Sequence, residues 1–175
     1  PQAGLKCRRA PREFEPDLEQ QTDADRRADA APARIAAGHE VRELDLYAMG
    51  FDPVFSAAEK GTYLSDTQRN IDGVAEHVTA LRWAEGWVVV YPTWFYGAPA
   101  MLKGWLERVF LPGVAFLVPR KKGDKPQPGL QHIRRLTIVT SGGSPLWWLL
   151  VVGDPNRRLF GRAIRALCAK SCKLT

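Results

Sequence analysis

Residues Trp87 to Tyr91 read WVVVY, an apolar run with no polar alternation. A strand that keeps one face in water alternates; a run like this is buried on both faces, as in a sheet covered by helices. Pro92 ends it, because proline has no N–H to give to a ladder. An aromatic turn follows, Thr93-Trp94-Phe95-Tyr96-Gly97. Pro99 stands where a first helical residue belongs, since the N–H it lacks has no partner there. Leu102, Trp105, Leu106 and Val109 then share one helical face, with Lys103, Glu107 and Arg108 elsewhere. The unit is a buried strand, an aromatic loop and a helix. In an open α/β sheet, ligands sit off the carboxyl ends of the strands.

The loop residues narrow the ligand. Three aromatic side chains and a glycine offer flat surface and close backbone approach. Free N–H groups at a helix start favour electron-rich or anionic atoms. A planar heteroaromatic that turns anionic on reduction suits such a loop, and reduced flavin is one. The other reading, in which the aromatics pack against the protein itself, stays open at this point.

Composition bounds the rest. The 175 residues make one domain the default, and 45% hydrophobic with 25% charged residues is globular. No run approaches the roughly 20 apolar residues of a membrane span, and the first residues show no charged-then-apolar signal peptide. Cys7, Cys168 and Cys172 are few and odd in number, with no second metal-type pair, so no metal site and a reduced cytoplasmic compartment are expected. The net charge of +6 gathers at Arg120-Lys121-Lys122, Arg134-Arg135, Arg157-Arg158 and Arg162 to Lys173. Without a nucleic-acid motif beside it, this charge is a solvated face rather than a nucleic-acid interface.

Residues 1–34 hold few large apolar side chains and read as disordered or weakly helical, apart from the globular residues 35–175. His39 to Tyr47 alternates and suggests a short strand near a sheet edge, with His39 on the surface at its entrance. Gly50 and Asp52-Pro53 mark a loop over 48–63. Ser65-Asp66-Thr67-Gln68 has the form of a capping box, and Ile71, Val74, Val78 and Leu81 form a helical core stripe that leaves His77 at its margin. Gly86 is expected to close that helix. After Phe116 comes a Lys-, Pro- and Gly-rich excursion to Gln131, then His132 in a structural place. Leu136 to Val139 reads as a second buried strand, and Thr140-Ser141-Gly142-Gly143 as its exit loop, where glycines let backbone approach and hydroxyls supply hydrogen bonds. Of Trp147 and Trp148, one is expected in the core and Trp148 in a pocket wall. Asp154 caps a last helix whose buried face is Leu159, Ile164 and Leu167.

The segment YPTWFYGAPAMLKGWLERVF resembles the signature of the flavodoxin-like NAD(P)H:quinone oxidoreductases, and Thr140-Ser141-Gly142-Gly143 resembles that family's second ring-binding loop. The phrases HEVRELDLY and FDPV agree, and the resemblance covers about residues 35–167. It implies a flavodoxin-like, doubly wound parallel α/β sheet, incomplete at both ends. The family's first strand and phosphate loop are not legible in 1–34, and its final strand and helix are not legible after 167. It further implies two-electron reduction of quinones by NAD(P)H through FAD, or FMN, in ping-pong order. Pro92, Thr93, Trp94, Phe95, Tyr96, Gly97, Thr140, Ser141, Gly142 and Gly143 would bind the flavin, with Phe116 and Trp148 lining a substrate pocket. Backbone donors of the two loops would stabilise charge on the reduced ring. No side chain is an evident catalytic acid or base, and the family's partners near the substrate are unmatched at Val118 and Gly153. A cytoplasmic homodimer is implied. The alternatives are a regulatory relative, such as an ancillary subunit of a potassium-efflux system with a membrane-protein partner, and a non-catalytic fragment without cofactor.

Overall fold

A computed structural model describes residues 39–119, 121, 123 and 125–175; the expectations for residues 1–34 lie outside them. Three short helices come first, α1 (Ala57–Thr62), α2 (Thr67–Asp72) and α3 (Ala75–Trp83). Strand β1 (Gly86–Pro92) leads into helix α4 (Ala100–Val109), and a small hairpin, β2 (Phe116–Leu117) with β3 (Gln127–Pro128), precedes strand β4 (Arg135–Ser141). Helices α5 (Leu146–Val152) and α6 (Pro155–Arg158) follow, then a π-helical turn, Leu159–Ile164, a 3₁₀ turn, Arg165–Leu167, and strand β5 (Lys173–Leu174).

Strand β1 lies parallel to β4 along its whole length, from Gly86 opposite Arg135 to Pro92 opposite Ser141. Both strands therefore end at one level, and the loops that leave them start side by side. Strand β5 adds to the far edge of β4, giving the order β1-β4-β5 among the described residues. Parallel neighbours need a crossover, and here α4 and the β2–β3 hairpin supply it. Trp87, Val89 and Tyr91 are buried at every second position of β1, as strand periodicity requires. Trp87 meets Trp105 of α4 at 5.7 Å between ring centroids, and Phe160 of the π-helical turn at 6.3 Å. Helix α4 buries the expected Leu102, Trp105, Leu106 and Val109, and Gly104 besides. That glycine is required: a Cβ there would stand 2.1 Å from the Pro53 carbonyl oxygen.

Several local expectations are corrected. Of the strand expected over 39–47, the described residues show a bridge position at Leu44. The alternation buries Leu44 and Leu46, and the Asp45 carboxylate accepts from the Tyr47 and Ala48 N–H groups at 3.2 Å each, which turns the chain after it. The loop expected over 48–63 contains α1, started by a capping box between Ser56 and Glu59. The box expected at Ser65 is absent, because Ser65 Oγ bonds the Gly61 carbonyl and Asp66 caps α2 instead. The core stripe is split between α2 and α3 at Gly73. Helix α3 ends at Trp83, and Gly86 opens β1 rather than closing a helix. Pro99 is the N-cap of α4, one residue earlier than expected. His77 is buried, not marginal: its Nδ1 accepts from Trp105 Nε1 at 3.2 Å. Trp147 is 64% exposed and belongs to no core. The residues after Leu167 supply a strand, β5, and Phe160, unforeseen, is the most buried side chain of the last helical segment. His39 is exposed, and His132 Nε2 donates to the Leu81 carbonyl at 3.0 Å, a structural tie as anticipated.

Candidate functional site

Beyond the carboxyl end of β1 the chain reverses within four residues. Trp94 N–H donates to the Gly97 carbonyl at 3.1 Å, and Gly97 N–H returns to the Trp94 carbonyl at 3.0 Å. The two residues between them, Phe95 (φ 45°) and Tyr96 (φ 66°), are both left-handed. This is the primed two-residue turn that normally takes Asn-Gly. Bulky side chains in that conformation are outliers costing of order 1–2 kcal/mol each. The strain is held in place from one side. Tyr96 Oη accepts from Trp148 Nε1 at 2.9 Å, so α5 braces the second turn residue. Phe95 has no such anchor and is 97% exposed, with Trp94 half-exposed beside it.

The exit of β4 meets this turn at its base. Thr140 and Ser141, expected in the loop, are the last two residues of the strand. Thr93 N–H donates to the Ser141 carbonyl at 2.7 Å, extending the ladder one residue past Pro92. The Thr93 and Thr140 hydroxyls lie 2.7 Å apart. A Cβ on Gly142 would only touch Thr93, at 3.6 Å, and one on Gly143 would meet nothing within 4 Å, so the space over this loop is open. Among the described residues the backbone N–H groups of Phe95, Tyr96, Gly142 and Gly143 have no hydrogen-bond acceptor.

The structure thus brings together Pro92, Thr93, Trp94, Phe95, Tyr96, Gly97, Thr140, Ser141, Gly142, Gly143 and Trp148. It does not join Phe116 to them. That residue pairs with Pro128 in the β2–β3 hairpin, and no hydrogen bond or ring contact links it to either loop among the described residues. Two participants escaped sequence reasoning. Asn156, 9% exposed, donates from Nδ2 to Thr93 Oγ1 at 3.1 Å, while its Oδ1 is buried without a partner. Tyr91 Oη is likewise buried and makes no hydrogen bond of good geometry among the described residues, with the Thr140 side chain as a polar neighbour. Burial, with the Asp154 carboxylate nearby, pushes that phenol far above its ordinary range, so it stays protonated. Only Asp154-Pro155 gave a signal. Asp154 is left-handed, and its carboxylate accepts from the Arg157 N–H at 3.1 Å, which starts α6 and sets Asn156 in place. No group of three or more metal-ligating side chains occurs among the described residues.

The arrangement offers flat aromatic surface, open space over a glycine loop and unspent backbone donors, all at the carboxyl end of two adjacent parallel strands. A family model for the flavodoxin-like fold matches residues 15–148, and the chain belongs to that family. Its relatives include the NAD(P)H dehydrogenase (quinone) 1 of Rattus norvegicus, 32% identical over 145 residues, or 73% of this chain and 52% of the relative. An NAD(P)H oxidoreductase of Escherichia coli strain K12, YcaK, is 36% identical over 100 residues, 57% of this chain and 48% of the relative. The chain spans about half the length of these curated relatives. Among solved structures, Smu.1420 from Streptococcus mutans UA159 superposes with a TM-score of 0.57 at 30% identity, over 75% of this chain and 67% of that one.

Proposed function

We propose that the protein reduces quinones with NAD(P)H on a bound flavin. The observation that carries this reading is the pair of loops at the ends of β1 and β4, where a strained aromatic turn and a glycine turn present unspent N–H groups side by side. Those residues suit a flavin. Trp94 and Phe95 offer ring faces, Gly143 leaves room for a ring edge, and the four free donors match a group that gains negative charge. The names of the relatives support the same chemistry. The chemistry that bound flavin supplies is two-electron hydride transfer from NAD(P)H to a quinone, in ping-pong order, with FAD preferred and FMN sharing the ring contacts.

The chain's own part is binding, orientation and electrostatics. The N–H groups of Phe95 and Tyr96 are fixed by the reciprocal bonds of the turn, so little reorganisation is needed to meet developing charge. Trp148 holds Tyr96 from the side and walls the space over the loop. Tyr91, protonated and buried beneath, adds no charge of its own.

A homodimer is part of the reading. Trp147, Leu150 and Val151 of α5 are 64%, 75% and 68% exposed, an apolar row next to the turn that a second copy would cover. The cytoplasm is the compartment proposed, in keeping with Cys168 and Cys172, buried as free thiols.

The test is the visible spectrum of the purified chain titrated with FAD and with FMN. The expected result is a bound-flavin spectrum that bleaches with NAD(P)H and recovers on adding a quinone. A folded, soluble chain that takes up neither flavin would refute the proposal and leave a non-catalytic member of the family.

A further inference from the structure

Three segments meet at one hydroxyl. Thr93 opens the aromatic turn, Thr140 is the last residue but one of β4, and Asn156 sits in α6. Asn156 Nδ2 can only donate, so Thr93 Oγ1 accepts at 3.1 Å. The Thr93 and Thr140 hydroxyls lie 2.7 Å apart, and either can donate. The bonds link Asn156 through Thr93 and Thr140 to the strand end that bears the glycine loop.

Stability alone does not explain Asn156. Its Oδ1 is buried and unsatisfied, a cost of about 1–3 kcal/mol that an apolar side chain would avoid. What the residue does accomplish is positional, because it is the one group on α6 that bonds Thr93. We propose that Asn156 is a positioning residue: acting through Thr93, it fixes the aromatic turn against the glycine loop, and so sets how much more tightly the site holds reduced than oxidised flavin. This rests on the flavin reading above and adds to it a residue that belongs to neither loop.

The experiment compares N156A, T93V and T93S with the unmodified full chain. Two readouts are taken. One is the ratio of dissociation constants for oxidised and reduced flavin; the other is hydrogen exchange, without flavin, at the bonded amides of Thr93, Trp94 and Gly97. N156A and T93V are expected to shift the ratio about tenfold, near 30 mV for a two-electron couple, and to speed exchange at those amides about tenfold. The amides of β1 that pair with β4 should stay unchanged, and T93S, which keeps the hydroxyl, should behave like the parent. A flavin ratio unmoved in N156A, or T93S falling as far as T93V, overturns the proposal. Should the unmodified chain bind no flavin, the functional reading fails. The exchange data then decide the positioning role: unchanged exchange in N156A overturns it, and accelerated exchange confined to the turn upholds it.

Discussion

Phe95→Asn should make the protein more stable and its site worse. Phe95 sits at φ 45° and is 97% exposed. Full burial of a Phe side chain stabilises by about 1.5–3 kcal/mol, so the few per cent buried here contribute less than about 0.1 kcal/mol. The ring's one aromatic neighbour among the described residues is Tyr96, at 5.9 Å and tilted, and its loss costs about 0.5 kcal/mol. Against this stands the left-handed backbone, about 1–2 kcal/mol for a bulky residue, most of which Asn escapes by hydrogen-bonding locally. The balance is a gain of about 0.5–1 kcal/mol, or roughly 1–4 °C for a chain of this size. Urea denaturation reads it as a higher midpoint with an unchanged slope. Under the flavin reading, the same change removes a ring face and weakens flavin binding about tenfold, or about 1.4 kcal/mol. A variant less stable than the parent by more than about 0.5 kcal/mol would refute the reasoning, because the ring would then be packing support and the turn unstrained. Equal flavin affinity in a stabilised variant would refute the functional half alone.

Three further outcomes follow from the packing. Gly104→Ala places a methyl 2.1 Å from the Pro53 carbonyl oxygen, and thermal melting should register a loss of about 3 kcal/mol. Burial holds the His77 imidazole below its usual range, the nearby Arg108 adding to this and Glu76 opposing it, and Nδ1 must stay unprotonated to accept from Trp105. Its folded pKa is depressed, so its contribution is intact above about pH 6.5 and falls away as pH drops below that value; the fall between pH 7 and 5 should shrink in His77→Leu. Arg108 bonds Glu59 through Nε at 2.8 Å and Nη2 at 2.7 Å, with both side chains less than one-fifth exposed. A double-mutant cycle with Glu59→Gln and Arg108→Met should give a coupling of about 2 kcal/mol. Burial raises the Glu59 carboxyl, but the Ser56 hydrogen bonds and Arg108 together outweigh it and leave it lowered. That coupling is therefore full above about pH 4.5 and declines only as pH falls through the lower, folded value.

What was legible depended on how local the cause was. The run Trp87–Tyr91 and the breaker Pro92 carry their own explanation, and β1 stands where they put it. Helix α4 declared its face through four apolar positions, all buried. Helix α1 did not, because it buries no residue at all; it exists through the Ser56–Glu59 box and through Arg108, which comes 49 residues after Glu59. His77 looked marginal because its partner Trp105 lies 28 residues away. Strand β5 is two residues long and forms only because β4 offers an edge. The loops were legible as composition, yet the left-handed pair Phe95-Tyr96 was not, since nothing in WFYG resembles the Asn-Gly that such a turn prefers.

That mismatch bears on where the site lies. The in-register pairing of β1 with β4 fixes where both loops begin, and the bond from Thr93 N–H to Ser141 holds them there. With both bases fixed, the aromatic turn has only its four residues in which to reverse, and it does so at a backbone cost an Asn-Gly turn would not bear. Two of the three buried side-chain polar atoms without a partner among the described residues, Asn156 Oδ1 and Tyr91 Oη, lie here beside the left-handed Asp154; the third, Trp87 Nε1, lies in the aromatic core. Strain and orphaned polar groups disfavour folding wherever they fall. The left-handed non-glycine residues Phe95, Tyr96 and Asp154 all fall by the carboxyl ends of two neighbouring strands, and such a concentration of strain is what a binding site predicts and what a purely structural loop does not.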